Sequence, residues 1–86
     1  MSIHDELFDR AAGILAGGVS SPVRAFRSVG GTPRYVRRAE GATLHGEGGE
    51  TWTDFCLAWG PMILGHGHPE VTEAVSRAVH DGLAFG

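Results

Sequence analysis

The stretch Trp59 to Pro69, "WGPMILGHGHP", decides how the chain divides. It is apolar, yet Gly60, Pro61, Gly65, Gly67 and Pro69 deny it the hydrogen bonding of a regular helix or strand. The chain beyond it is regular. Proline suits a first helical position, so Pro69 opens a helix. Val71, Ala74, Val75, Ala78 and Val79 give that helix an apolar stripe, with Glu73, Ser76, Arg77 and His80 on other faces. Gly82 is the expected terminator.

Upstream of this stretch the pattern is strand-like. Residues 34–39, 42–45 and 51–55 read as three short strands. Gly46-Glu47-Gly48-Gly49-Glu50 joins the last two as a hairpin connection, and Trp52 and Phe55 add aromatic character. Residues 16–33 read as irregular, because two glycine pairs, Pro22 and Pro33 interrupt them. Loops this long are functional or disordered, and Val19, Val23, Phe26 and Val29 argue against plain disorder. The spacing of Ile3, Leu7, Ala11 and Ile14 or Leu15 predicts a helix over 3–15, capped by Ser2 with Asp5 three residues on and stopped at Gly17-Gly18. Asp5, Glu6 and Asp9 suit the positive end of its dipole. The fold class is therefore α+β: an N-terminal helix, a long loop, a small three-stranded antiparallel sheet and a following helix. No internal repeat and no domain boundary is evident.

Composition narrows the function classes. The chain has 86 residues, 42% hydrophobic and 20% charged, with a formal charge of −3. A domain of this size buries only roughly 60–65% of its unfolded surface, so its core is thin. The charge gives no electrostatic case for nucleic acid or an acidic membrane. One cysteine, Cys56, allows no internal disulfide and fits a reducing, cytoplasmic setting. His4, Asp5 and Glu6 stand where a signal peptide would be basic, and no apolar run reaches the ~20 residues of a membrane span. All seven basic residues are arginine. Without lysine, no Schiff-base chemistry can be completed by these residues alone.

Several side chains are candidates for chemistry. In "SSPVRAF", Ser20 to Phe26, a single arginine lies in a short apolar run stiffened by Pro22. A guanidinium offers a planar fork of donors that matches a carboxylate, and Ser21 can add a hydroxyl. The alternative for Arg24 is a plain surface arginine. Trp59 offers an indole face as a pocket wall, or simply packs. Met62, Ile63 and Leu64 need a cover, from the small core or from another surface, since loops normally run over the outside. His45, His66 and His68 invite a metal reading, with Cys56 and Asp54 as further ligands, but a tight turn leading into a helix that His68 caps explains the last two more simply. Arg34, Arg37 and Arg38 read as a solvated strand face. Gly46–Gly49 lacks the ending and the helix of a phosphate loop. Cys56 has no evident base and reads as an inert buried thiol.

"GGVSSPVRAFRSVGGTP" at 17–33 followed by "WGPMILGHGHPEVTEAV" at 59–75 closely resembles the aminomutase branch of the class III pyridoxal-phosphate aminotransferase family. The resemblance runs along essentially the whole chain. One departure is visible: the family's Asp-x-Asp-Gly hairpin turn is Gly46-Glu47-Gly48-Gly49 here. The resemblance implies that residues 1–86 form the N-terminal segment of a larger enzyme of fold type I. It implies an amino-group exchange on glutamate 1-semialdehyde that yields 5-aminolevulinate for tetrapyrrole synthesis. It also implies pyridoxal 5'-phosphate as cofactor, held by a lysine further along, and a homodimer. Ser21 and Arg24 then match residues that receive the substrate carboxylate, and Trp59 matches a wall of the substrate pocket. No residue is assigned to catalysis or to the cofactor, and these residues alone are expected to be inactive. Two rivals stand beside this reading: another class III aminotransferase, and a non-catalytic module that binds a partner through residues 59–64.

Overall fold

Ser2 begins the first helix in the way its spacing to Asp5 predicts. Its hydroxyl accepts the Asp5 N–H at 3.1 Å, and the Asp5 carboxylate accepts the Ser2 N–H at 2.9 Å. Such a reciprocal cap is worth about 1 kcal/mol. Helix α1 runs Ile3–Ala12 and is closed by Gly13, three residues short of the expected limit. The apolar period does continue to Ile14 and Leu15, but both are exposed and belong to the turn beyond the helix.

The computed structural model describes residues 1–85. They group into two compact units, Met1–Arg38 with His45–Thr51, and Ala39–Leu44 with the residues from Trp52 onward. Sheet strands β1 (Val36–Glu40), β2 (Thr43–Gly46) and β3 (Thr51–Thr53) lie in the order β1-β2-β3 and pair antiparallel. The α+β reading holds, with shifted edges. β1 starts two residues late. β3 stops at Thr53, leaving Phe55 outside the sheet and 92% exposed.

In the first unit, α1 packs on a tight turn at Ala16–Gly18, which meets a second at Pro22–Ala25. The long irregular segment thus contains two short helical turns rather than featureless loop. His4 is the buried centre of this unit. Its Nδ1 accepts the Tyr35 N–H at 2.9 Å, so its Nε2 carries the proton and donates to the Glu50 carboxylate. The imidazole also lies stacked over the Tyr35 ring, 6.4 Å between centroids. A Cβ at Gly48 would stand 2.6 Å from Glu50 Oε2. The glycine that replaces the second aspartate of the family turn therefore leaves space for the carboxylate that His4 holds.

In the second unit, helix α2 spans Pro69–Val79, starting where the proline predicts. His68 sits at its N-cap position, but its side chain makes no capping hydrogen bond. The simple cap expected of it is absent. The stripe of α2 is uncovered: Val71, Val75 and Val79 are all about half exposed. Ile63 and Leu64 are exposed too, so they find no cover among the described residues. Apart from glycines, Ala25 and Pro33 are the buried apolar residues among those described.

Candidate functional site

The geometry around Arg24 begins with Pro22. Ser21 is extended (φ −146°), and Pro22 occupies the first position of the turn Pro22–Ala25, where its fixed φ is already helical. The Arg24 N–H reaches the Ser21 carbonyl at 3.0 Å. Phe26 closes the turn in a left-handed conformation (φ 61°), which is costly for a bulky L-residue. Its carbonyl takes the N–H groups of Val29 and Gly30, at 3.2 and 2.7 Å.

A cavity of about 480 Å³ opens beside this turn. Leu15, Val19, Val23 and Phe26 give it apolar walls, while Ser20, Arg24, Arg34 and Tyr35 bring polar atoms; Arg34 thus lies outside β1 and beside the cavity rather than on a strand face. Arg24 Nη1 donates to Ser20 Oγ at 3.2 Å, a long contact that leaves an exposed guanidinium open to an anion. The hydroxyl beside the guanidinium is thus that of Ser20. Ser21, the residue singled out in the sequence, is half-buried and is not among the cavity walls. The doublet Ser20-Ser21 carried the signal, but only turn geometry distinguishes its members.

Trp59 belongs to the second unit and is 93% exposed. It ends a tight turn, Leu57–Trp59, in which every residue is left-handed: φ 46°, 57° and 67°. Left-handed L-residues cost about 1–2 kcal/mol each, so the turn stores roughly 3–6 kcal/mol. Asp54 offsets part of this. Its Oδ1 accepts the N–H groups of Cys56 and Leu57 at 2.9 and 3.0 Å, and its Oδ2 accepts His66 Nε2–H at 2.6 Å. The His66 ring, and then the two N–H groups, hold the Asp54 carboxyl below the usual carboxylate range. His66 is fixed in turn by its backbone, which exchanges two 2.8 Å hydrogen bonds with Gly41. Gly65 makes that approach possible: at φ +78°, a Cβ there would lie 2.9 Å from the Gly41 carbonyl oxygen. This Asp–His link across twelve residues was not read from the sequence.

His66 is therefore engaged by a carboxylate, and His45 lies 3.4 Å from Arg38, both of them in the first unit. Among the described residues no group of three or more His, Cys, Asp or Glu could hold a metal ion. Cys56 is exposed, contrary to the buried thiol expected; Asp54 draws its N–H inward while the side chain faces out. Among the described residues, no helix is long and apolar enough to cross a membrane.

No family model matches the chain. Its curated relatives are consistent with one another. It is 59% identical over 80 residues to a glutamate-1-semialdehyde 2,1-aminomutase of Paracidovorax citrulli, covering 93% of this chain and 18% of the relative. It is 56% identical over 86 residues to that of Neisseria gonorrhoeae, covering all of this chain and 20% of the relative. The enzyme of Syntrophus aciditrophicus is 52% identical over 85 residues, with 99% and 20% covered. The chain thus spans about a fifth of the length of these relatives. Among solved structures it resembles an omega-transaminase from Sphaerobacter thermophilus (TM-score 0.78, 34% identity, 99% of this chain and 19% of that one). It also resembles a transaminase with PLP bound (TM-score 0.75, 34% identity, 100% and 20%).

Proposed function

We propose that this chain, homologous along its length to the glutamate-1-semialdehyde 2,1-aminomutases and equal to about a fifth of one, supplies the substrate-binding part of such an enzyme. The reaction is the conversion of glutamate 1-semialdehyde to 5-aminolevulinate, an isomerisation that feeds tetrapyrrole synthesis. The observation that carries this reading is 52–59% identity over nearly the whole chain. The transaminase structures reach only 34%, which favours the aminomutase over another class III aminotransferase.

Pyridoxal phosphate, which one structural neighbour binds, would act as the electron sink of the reaction. The residues in hand do not provide its attachment, since there is no lysine among the 86. Their part is binding and orientation. Arg24, with a serine hydroxyl beside it, receives the substrate carboxylate at the mouth of the apolar cavity, and Trp59 supplies an aromatic wall. Fixing one anionic end lets the short substrate present its amine and its aldehyde to the cofactor in turn. Burial of the uncovered apolar residues, Ile63, Leu64 and the α2 stripe, fits an enzyme whose remaining chain and second copy in a homodimer close over them. A cytoplasmic location accords with the single exposed thiol.

The test is a chimaera in which these 86 residues replace the matching stretch of the Neisseria gonorrhoeae enzyme, with which they align over 86 residues. Formation of 5-aminolevulinate by the chimaera is the expected result. A folded chimaera that transfers amino groups between other partners but makes no 5-aminolevulinate would refute the assignment.

A further inference from the structure

The eleven residues between Asp54 and His66 form a loop tied at its base by side chains as well as backbone. Asp54 N–H reaches the Ala42 carbonyl at 2.7 Å, and the Gly41–His66 pair closes the other end. Inside the loop, backbone hydrogen bonds are short-range: Trp59 N–H to Cys56 at 3.0 Å, Gly60 N–H to Leu57 at 3.3 Å, Met62 N–H to Leu57 at 3.4 Å, Gly65 N–H to Met62 at 2.9 Å. Bonds from one residue to the third along form in turns of either hand. The Asp54 carboxylate adds a longer-range tie. It takes two consecutive N–H groups, Cys56 and Leu57, at the entrance to the turn. Its second oxygen accepts His66 Nε2–H at 2.6 Å, which ties the carboxylate to the base of the loop.

We infer that Asp54 and His66 are positioning residues for Trp59: the carboxylate–imidazole pair holds the Leu57–Trp59 turn left-handed and so fixes the direction in which the indole is presented to the substrate. This rests on Trp59 being a wall of the substrate site. A residue that shapes a binding wall acts on bound substrate and transition state alike, so its loss shows in KM rather than kcat. A merely structural defect behaves differently. It lowers the fraction of active enzyme, and hence apparent kcat, with KM unmoved.

The experiment uses the same chimaera with Asp54→Asn, His66→Ala, His66→Gln, Trp59→Ala and the Asp54→Asn/Trp59→Ala double variant. Asp54→Asn and His66→Ala are expected to raise KM about 5–20-fold with kcat within about twofold. Gln places an N–H donor where His66 Nε2–H stands, so His66→Gln should retain the parent KM. The double variant should be no worse than Trp59→Ala alone, because the pair acts through the indole. If Trp59→Ala raises KM while Asp54→Asn and His66→Ala leave it unchanged, or if the effects multiply, the inference is wrong and the substrate-wall reading stands. If Trp59→Ala leaves KM unchanged, the substrate-wall reading is wrong instead. The pair is then judged on the 86-residue chain by one-bond Cα–Hα couplings at Leu57, Ala58 and Trp59, which report positive φ. Loss of that signature in Asp54→Asn supports the positioning role, and its persistence overturns it.

Discussion

Replacing Arg24 by alanine removes the cation that touches a serine hydroxyl at the mouth of the Leu15–Phe26 cavity. The expected cost follows from the geometry. The side chain is exposed and makes one 3.2 Å hydrogen bond, to Ser20, so its loss should barely alter stability. Its worth lies in what it meets. A charge-assisted hydrogen bond contributes about 1.5–3 kcal/mol, which corresponds to roughly 10–150-fold in KM. Solvent access around the guanidinium places the result in the lower half of that range in the absence of closure by other parts of the enzyme. Arg24→Lys keeps the charge but loses the planar fork, and should fall between parent and alanine variant. Steady-state formation of 5-aminolevulinate by the chimaera gives KM and kcat, and circular dichroism checks that the variants remain folded. A KM unchanged in Arg24→Ala would show that no carboxylate rests on this guanidinium, whatever the shape of the cavity beside it.

Other consequences are open to measurement. Three carboxylates are held low: Asp5 to about 2, chiefly by the Thr32 hydroxyl and then the Ser2 N–H; Glu50, by its own N–H and then His4; and Asp54, by His66 and the N–H groups of Leu57 and Cys56. A depressed carboxyl stabilises the fold above its unfolded pKa of about 4 and loses that contribution as pH falls toward its folded value. The melting temperature should therefore decline from about pH 5 to pH 2; a flat profile over that window would refute the ionic contribution. Ser2→Ala should cost about 1 kcal/mol by removing the cap of α1, seen as reduced helicity in circular dichroism. Gly65→Ala should cost about 1–3 kcal/mol, since it combines a left-handed site with a clash against Gly41, and should speed amide exchange at Gly41 and His66.

What was legible in the letters is what local chemistry determines. Ser2 with Asp5, Pro69 with its apolar stripe, and the glycines of the hairpin each act within a few residues. The errors have distant causes. β1 begins late because the Tyr35 N–H is taken by His4, thirty-one residues earlier, instead of by a neighbouring strand. β3 ends early because the Asp54 side chain captures the N–H groups of Cys56 and Leu57 and turns the chain away. The same capture exposes Cys56 and Phe55. For the site, arginine and tryptophan stood out as unusual in their settings, whereas Asp54 and His66 looked ordinary until folding brought them together. Ser20 and Ser21 are chemically identical, and the onset of a turn decides which of them faces the guanidinium.

The turn at Leu57–Trp59 has a stereochemical consequence. Three consecutive L-residues occupy backbone angles that belong to their mirror images. Synthesis of the segment with D-alanine at position 58 would therefore relax it rather than break it, and Ala58→Gly would do so in part, although glycine also frees the unfolded chain. The handedness built into every ribosomal product works against the indole's mounting, and the loop keeps it there nonetheless.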